Sequence, residues 1–202
     1  MKIAIIGSHS TGKTTLIREL KNAFEEQGKE VLVLEELARL CPLPINEETT
    51  MDAQKWILLN QIAQENTIDH TGKVLITDRS TIDNFAYMYR IGMNLGAEHF
   101  EHHAVLHMSS YDYIFKTKLL DISAKEDGVR TADGPFRDMM DRLINLLLAK
   151  HAVPFHLLPD TLDYSTHVQF IMDTLQIQNR ENENHILMPV STQIQSQEVN
   201  LS

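Results

Sequence analysis

Apolar positions change their period repeatedly along this 202-residue chain. Lys2 to Ile6 (KIAII) is a short apolar run that stops at Gly7, as a strand buried on both faces of a parallel sheet does. From Thr14 the spacing becomes helical, with Leu16, Leu20, Ala23 and Phe24 on one face and Gly28 placed to end the helix. Glu30 to Leu34 (EVLVL) reads as a second strand and completes a βαβ unit. Further strands are predicted at Val74 to Thr77, Tyr113 to Phe115 and Pro154 to Leu158, separated by helical stretches. Five strands alternating with helices predict an α/β fold: a five-stranded, doubly wound parallel sheet flanked by helices.

The intervening helices are expected over Asp52 to Asp69, with Trp56, Leu58, Leu59, Ile62 and Ala63 inward, and over Thr81 to Met93, with Ile82, Phe85, Ala86 and Tyr89 inward. A third, Phe136 to Ala149, carries Met140, Leu143, Leu147 and Leu148. Asp127 to Pro135 holds two glycines and a proline among charges and reads as a mobile surface loop. After Gln178 the chain is rich in Asn, Gln, Glu and Ser, so one domain is expected over residues 1–178 and a polar tail, ordered in part at most, over 179–202.

Composition narrows the function classes. The 28 acidic against 18 basic residues leave a net charge of −10, which repels nucleic acid and anionic membranes alike. No apolar run approaches the ~18 residues of a membrane span, so a soluble, cytoplasmic protein is expected. The lone Cys41 excludes an intrachain disulfide framework and a cysteine-based zinc finger.

Gly7-Ser8-His9-Ser10-Thr11-Gly12-Lys13-Thr14 reads G-x-x-x-x-G-K-T, and it follows a strand and opens a helix, as a phosphate-binding P-loop must. Gly7 and Gly12 let consecutive N–H groups converge on an anion, and the helix N-terminus adds partial positive charge. Lys13 is expected on the β and γ phosphates and the Thr14 hydroxyl on Mg²⁺. Gly7, Ser10, Thr11, Gly12, Lys13, Thr14 and Thr15 are thus the expected nucleotide-binding residues, with ATP and Mg²⁺ as ligands. The motif asks only for the backbone of His9 and Ser10.

Other features sort the P-loop classes. The fourth strand is followed by Thr117-Lys118-Leu119-Leu120-Asp121, one residue too long for the N/T-K-x-D of a guanine site. The chain is too short for the helical lid domain of an AAA+ machine. A small-molecule kinase fits better, because acidic residues follow strands two and three, at Glu35-Glu36 and Asp78, where strand ends border the ligand crevice. There one carboxylate can take the acceptor's proton and a second can bind magnesium through water. Successive side chains alternate faces, so only one of Glu35 and Glu36 faces the crevice.

The sequence resembles the P-loop ATPase/kinase family associated with NAD metabolism, which includes the nicotinamide riboside kinase domain of bacterial NAD regulators. The matching pieces are GSHSTGKTT at Gly7 to Thr15, E-x-A-R at Glu36 to Arg39, L-I-T-D-R-S at Leu75 to Ser80 with Ile82 and Asp83, Y-D-Y-I-F at Tyr111 to Phe115 and D-G-V-R at Asp127 to Arg130. The D-R-S element is also similar to that of deoxynucleoside kinases. The resemblance implies phosphoryl transfer to a nucleoside 5′-hydroxyl, with Glu36 as base and Asp78 near magnesium; Arg39 and Arg79 are candidate substrate-binding residues. Arg130 and Arg137, in and after the expected lid, are candidates to stabilise the transferring phosphoryl group. Trp56 is a candidate to stack on the acceptor's ring. A nucleoside monophosphate kinase is the alternative. The acceptor's identity and the oligomeric state, a homodimer among the options, stay open.

His99, His103 and His107 can share one helix face, with His102 beside them. A solvated face is the ordinary account; a P-loop metallochaperone or nucleotide-gated regulator is the remaining alternative.

Overall fold

The computed structural model describes residues 1–45, 49–92, 96–119 and 134–186. Two compact units are delimited, Met1–Val168 and Gln169–Ser202. The first carries β1 (Lys2–Ile6), α1 (Lys13–Glu26), β2 (Val31–Leu34), a 3₁₀ turn (Leu37–Leu40), α2 (Met51–Thr67), β3 (Val74–Asp78), α3 (Thr81–Gly92), α4 (Glu98–Met108), β4 (Tyr113–Lys116), α5 (Gly134–Lys150) and β5 (His156–Leu157). Helix α6 (Tyr164–Ile186) begins at the end of that unit and continues past Gln178, where the polar tail was expected to begin. The chain beyond residue 186 lies outside the described residues. Among the described residues no helix is long and apolar enough to cross a membrane.

The sheet is parallel throughout, in the order β2-β3-β1-β4-β5, as the alternation of periods predicts. The chain places β2 at the edge and β3 between it and β1, then crosses to the other side of β1 for β4 and β5, so a crevice opens at the carboxyl end of β1. β1 and β3 are buried at every residue, which is why they read as unbroken apolar runs. Register sets the neighbours of the phosphate loop: Ile5 pairs with Asp78 and Ile6 with Lys116. Arg79 and Thr117 therefore leave their strands alongside Gly7, with Arg79 N–H donating to Ile5 O (3.0 Å) and Thr117 N–H to Ile6 O (2.9 Å).

α1 buries Leu16, Ile17, Leu20 and Phe24. It closes at Gln27 with Gly28 at φ +74° and Lys29 N–H donating to Phe24 O (3.0 Å), the expected stop. A core of Ala4, Ile6, Phe85, Ala86, Ile114 and Met140 fills the space under α3, α4 and α5. Each large side chain there contributes about 1.5–3 kcal/mol on burial.

Two expectations need correction. On α2, capped by Thr50 Oγ1 accepting from Ala53 N–H (3.2 Å), Leu59 and Ala63 are exposed, whereas Gln54, Gln61 and Glu65 are buried beside Ile57 and Leu58. Polar residues occupy the inward face because Glu65 accepts from Lys2 Nζ and Tyr111 Oη (2.8 Å each) and bonds His107 Nε2 (2.8 Å). Apolar spacing alone cannot find such a face. Further along, Gly134 and Pro135 begin α5 instead of ending a loop, and proline suits the first helical turn, where its missing N–H costs nothing. Residues 127–133 lie outside the described residues.

Candidate active site

Gly7 (φ +134°) and Gly12 (φ +80°) hold the phosphate loop in backbone conformations that a side chain disfavours, and a Cβ at either would collide, with Thr117 Oγ1 or Tyr164 Oη respectively. Lys13, at the first turn of α1, folds back and donates to Gly7 O (2.9 Å) and Ser8 O. Burial, with the Arg79 charge nearby, lowers its pKa to about 8. Thr11 Oγ1 donates to Ser8 O (3.0 Å) and lies 2.8 Å from Thr117 Oγ1, while Ser10 takes φ +55°. Asp83 on α3 clasps the loop from behind: Oδ1 accepts from Gly7 N–H (3.0 Å), and Oδ2 from Ser80 N–H and Oγ (2.9 Å each). Burial raises the Asp83 pKa against the opposing pull of Arg79 and those donors.

Thr14 and Asp78 meet across the crevice, Thr14 Oγ1 donating to Asp78 Oδ2 at 2.7 Å. Asp78 Oδ1 and Ser8 Oγ are buried with no hydrogen-bond partner among the described residues. A hydroxyl and a carboxylate side by side, with an orphaned carboxylate oxygen, are the hard oxygen donors that Mg²⁺ takes, so these residues fit the ion.

Glu36 is 4% exposed and Glu35 is exposed, so strand parity turns Glu36 toward the crevice. Arg79 donates to Glu36 Oε1 from Nε (2.8 Å) and Nη2 (2.7 Å), and Arg39 Nε approaches Oε2 at 3.3 Å. Arg79 does this from φ +85°, a strained conformation for a residue with a Cβ. Its carbonyl accepts from Thr77 Oγ1 (2.8 Å), which helps to hold it there.

These groups border one pocket, whose wall includes Gln54 and Asn84 together with Tyr87 and Arg90 from α3 and Phe136 from α5. His9 is part of it too: the side chain is 8% exposed, Nδ1 lies 3.2 Å from Tyr87 Oη, and the ring lies 5.2 Å from Phe136. The loop motif gave no reason to expect this. Asn84, Tyr87, Arg90 and Phe136 carry no motif either; only their helical spacing on α3, at 84, 87 and 90, groups three of them beforehand. Trp56 is outside the lining and packs against Leu34, Leu37, Ile57 and Leu75. Arg137 is half-buried on α5 one residue after Phe136, and Arg130 lies outside the described residues. The histidines are dispersed: His107 is tied to Glu65 and His99 is exposed beside Glu98, and no group of three or more His, Cys, Asp or Glu placed for a metal occurs among the described residues.

Similar proteins were found in sequence and in structure. Thymidylate kinase of Acinetobacter baumannii is 32% identical over 102 residues, covering 43% of this chain and 51% of that protein; the enzyme named thymidylate kinase in Acinetobacter baylyi is 30% identical over 102 residues. The chain thus spans about half the length of the curated relatives it matches. Among solved structures, NadR protein in complex with NR superposes with a TM-score of 0.68 at 20% identity, over 85% of this chain and 50% of that one. Deoxyadenosine kinase from M. mycoides, with products dCMP and dCDP bound, gives 0.62 at 17% identity, over 87% and 98%. The fold is therefore that of P-loop nucleoside and nucleotide kinases. The family model that matches, described as an AAA domain, covers residues 2–165 and so takes in the sheet and the phosphate loop. The chain belongs to this AAA-domain family of P-loop proteins.

Proposed function

We propose that the protein is a kinase that transfers the γ-phosphoryl group of ATP to a hydroxyl of a nucleoside-like small molecule, in the first instance a 5′-hydroxyl. The observation that carries this reading is the placement of a buried carboxylate, Glu36, on a guanidinium, Arg79, that itself borders the phosphate loop, with Arg79 Nη1 3.5 Å from Gly7 O. ATP hydrolysis alone needs no such carboxylate facing a pocket beside the loop.

Loop N–H groups and the start of α1 bind the donor's phosphates. Lys13 exchanges Gly7 O and Ser8 O for the β and γ phosphates. The acceptor oxygen forms a bond to the γ phosphorus, its proton passes to Glu36, and the bond from that phosphorus to the β–γ bridging oxygen breaks with its electron pair leaving on ADP. Thr14 and Asp78 are the residues that would hold Mg²⁺, which when bound offsets negative charge on the phosphates. Arg130 and Arg137 are proposed to close on the transferring group and exclude water.

The relative called thymidylate kinase and the neighbours called deoxyadenosine kinase and NadR support a nucleoside or nucleotide acceptor. The test is a panel of nucleosides, nicotinamide riboside included, and nucleoside monophosphates incubated with Mg-ATP and read by mass spectrometry. Gain of one phosphoryl group on an acceptor is expected; ATP consumption with no phosphorylated acceptor would refute the reading.

A further inference from the structure

The acceptor pocket holds more positive charge than phosphoryl transfer to a neutral hydroxyl calls for. Among the described residues, three arginines, Arg39, Arg79 and Arg90, line it with one carboxylate, Glu36, and Asp78 and Asp83 add their charges on Arg79 alone of the three. Glu36 engages Arg79 and Arg39. Arg90 has no carboxylate within 4.0 Å among the described residues; its Cζ lies 4.6 Å from the centroid of the Phe136 ring. Phe136 in turn stands edge-on to Tyr87 (6.3 Å between centroids), and Tyr87 underlies Arg79 (4.8 Å). The wall therefore runs from Glu36 and Arg79 across two aromatic rings to Arg90.

Position along α3 adds a length to this wall. Asp83 holds Gly7 at the head of the helix, and Arg90 is seven residues later, about 10 Å along the axis at 1.5 Å per residue. The Arg90 guanidinium is thus set off from Glu36 and Arg79 by the rings of Tyr87 and Phe136, the second of which also meets His9. A guanidinium over the face of an aromatic ring keeps its N–H donors available for a planar or tetrahedral oxyanion.

Resting on the kinase reading above, we infer that the acceptor carries an anionic group remote from the hydroxyl that is phosphorylated, and that Arg90 is the specificity-determining residue that binds it. The chemistry is an oxyanion, supplied either by a carboxylate on the acceptor's ring or by a phosphate ester elsewhere on its sugar. Glu36 and Arg79 handle the hydroxyl end; Arg90 selects among acceptors by charge at the other.

The experiment uses acceptor pairs that differ in this group and keep the 5′-hydroxyl free. Nicotinamide riboside against nicotinate riboside and uridine against orotidine test a carboxylate; adenosine and thymidine against their 3′-monophosphates test a phosphate. One anionic class is expected to exceed its neutral partner in kcat/KM by about ten- to hundredfold, the range of a charge-assisted hydrogen bond. Arg90→Ala and Arg90→Gln are expected to erase that ratio through KM of the anionic member, and Arg90→Lys to keep part of it. Neutral acceptors used equally well, or a ratio unchanged in Arg90→Ala, would overturn the inference and leave the kinase reading standing. If no acceptor is phosphorylated, the kinase reading fails by itself, and calorimetric binding of the same pairs to the AMP-PNP-loaded protein decides the inference. Binding that is equal for both members or independent of Arg90 then overturns it, and tighter Arg90-dependent binding of the anion supports it.

Discussion

Arg79 donates to Glu36 Oε1 from two of its nitrogens, and it does so from a left-handed backbone at φ +85°. Residues separated by 43 positions are brought together because β2 and β3 are neighbours in the sheet and both chain directions exit at the same edge. The strained Arg79 backbone is supported by Thr77 Oγ1 on its carbonyl and by Asp83 on the following N–H. Orientation of the candidate base and geometry of the phosphate loop thus share one support, since Asp83 also holds Gly7.

Glu36→Gln keeps the shape of the base and removes its proton affinity. Phosphoryl transfer is expected to fall by about 10²–10⁴-fold with ATP affinity little changed. Glu35→Gln, on the exposed side of the turn, is expected to leave transfer near wild type. Steady-state kinetics with parallel nucleotide-binding measurements separate the two; a crippled Glu35→Gln with a normal Glu36→Gln would reverse the assignment.

Lys13 makes nucleotide binding pH-dependent. Burial lowers its pKa to about 8 from 10.5, so between those values the free folded protein has released a proton that the unfolded chain retains, and this group's contribution to stability rises with pH across that window. Binding phosphates favours the charged form, so above about pH 8 ATP binding is expected to take up a proton and to weaken as pH rises. Calorimetry in buffers of different ionisation enthalpy measures the uptake directly. It is expected to vanish in Lys13→Met, whose transfer is expected to fall by orders of magnitude.

Asp78→Asn keeps an acceptor for Thr14 Oγ1 and removes a negative charge beside the orphaned oxygen. The magnesium concentration for half-maximal transfer is expected to rise by about tenfold or more, a factor corresponding to ~1.4 kcal/mol. A magnesium titration unchanged from wild type would remove Asp78 from the metal site.

Asp83→Asn presents an NH₂ to a main-chain N–H that now has a carboxylate oxygen. The cost is expected to be about 1–3 kcal/mol, read as a lower melting temperature, together with weaker ATP binding because Gly7 loses its anchor. Unchanged nucleotide affinity in a destabilised variant would leave Asp83 with a purely structural role.

Arg130→Ala and Arg137→Ala are expected to lower turnover more than ATP affinity, because a contact to the transferring group is stronger in the transition state than in the ground state. Equal losses in both, or none, would take these arginines out of the site.

Much of this protein is local and so was readable in the sequence. β1, the phosphate loop and α1 follow from an apolar run, two glycines and a helical period within 26 residues; the two-residue repeat of a strand says that only one of Glu35 and Glu36 faces the crevice, and the E-x-A-R resemblance selects Glu36. The parallel order of layers follows from strands alternating with helices. Tertiary structure decided what no period encodes. The inward face of α2 is Gln54, Gln61 and Glu65 because Lys2, Tyr111 and His107 arrive from other elements to satisfy Glu65, and a buried polar group is tolerated only with such partners. His9, Tyr87, Arg90 and Phe136 become one wall only when the β2-β3-β1-β4-β5 order sets α3 and α5 beside the loop. Hydrophobic periodicity reports which face avoids water, and it carries no information on which distant charge or ring will meet that face.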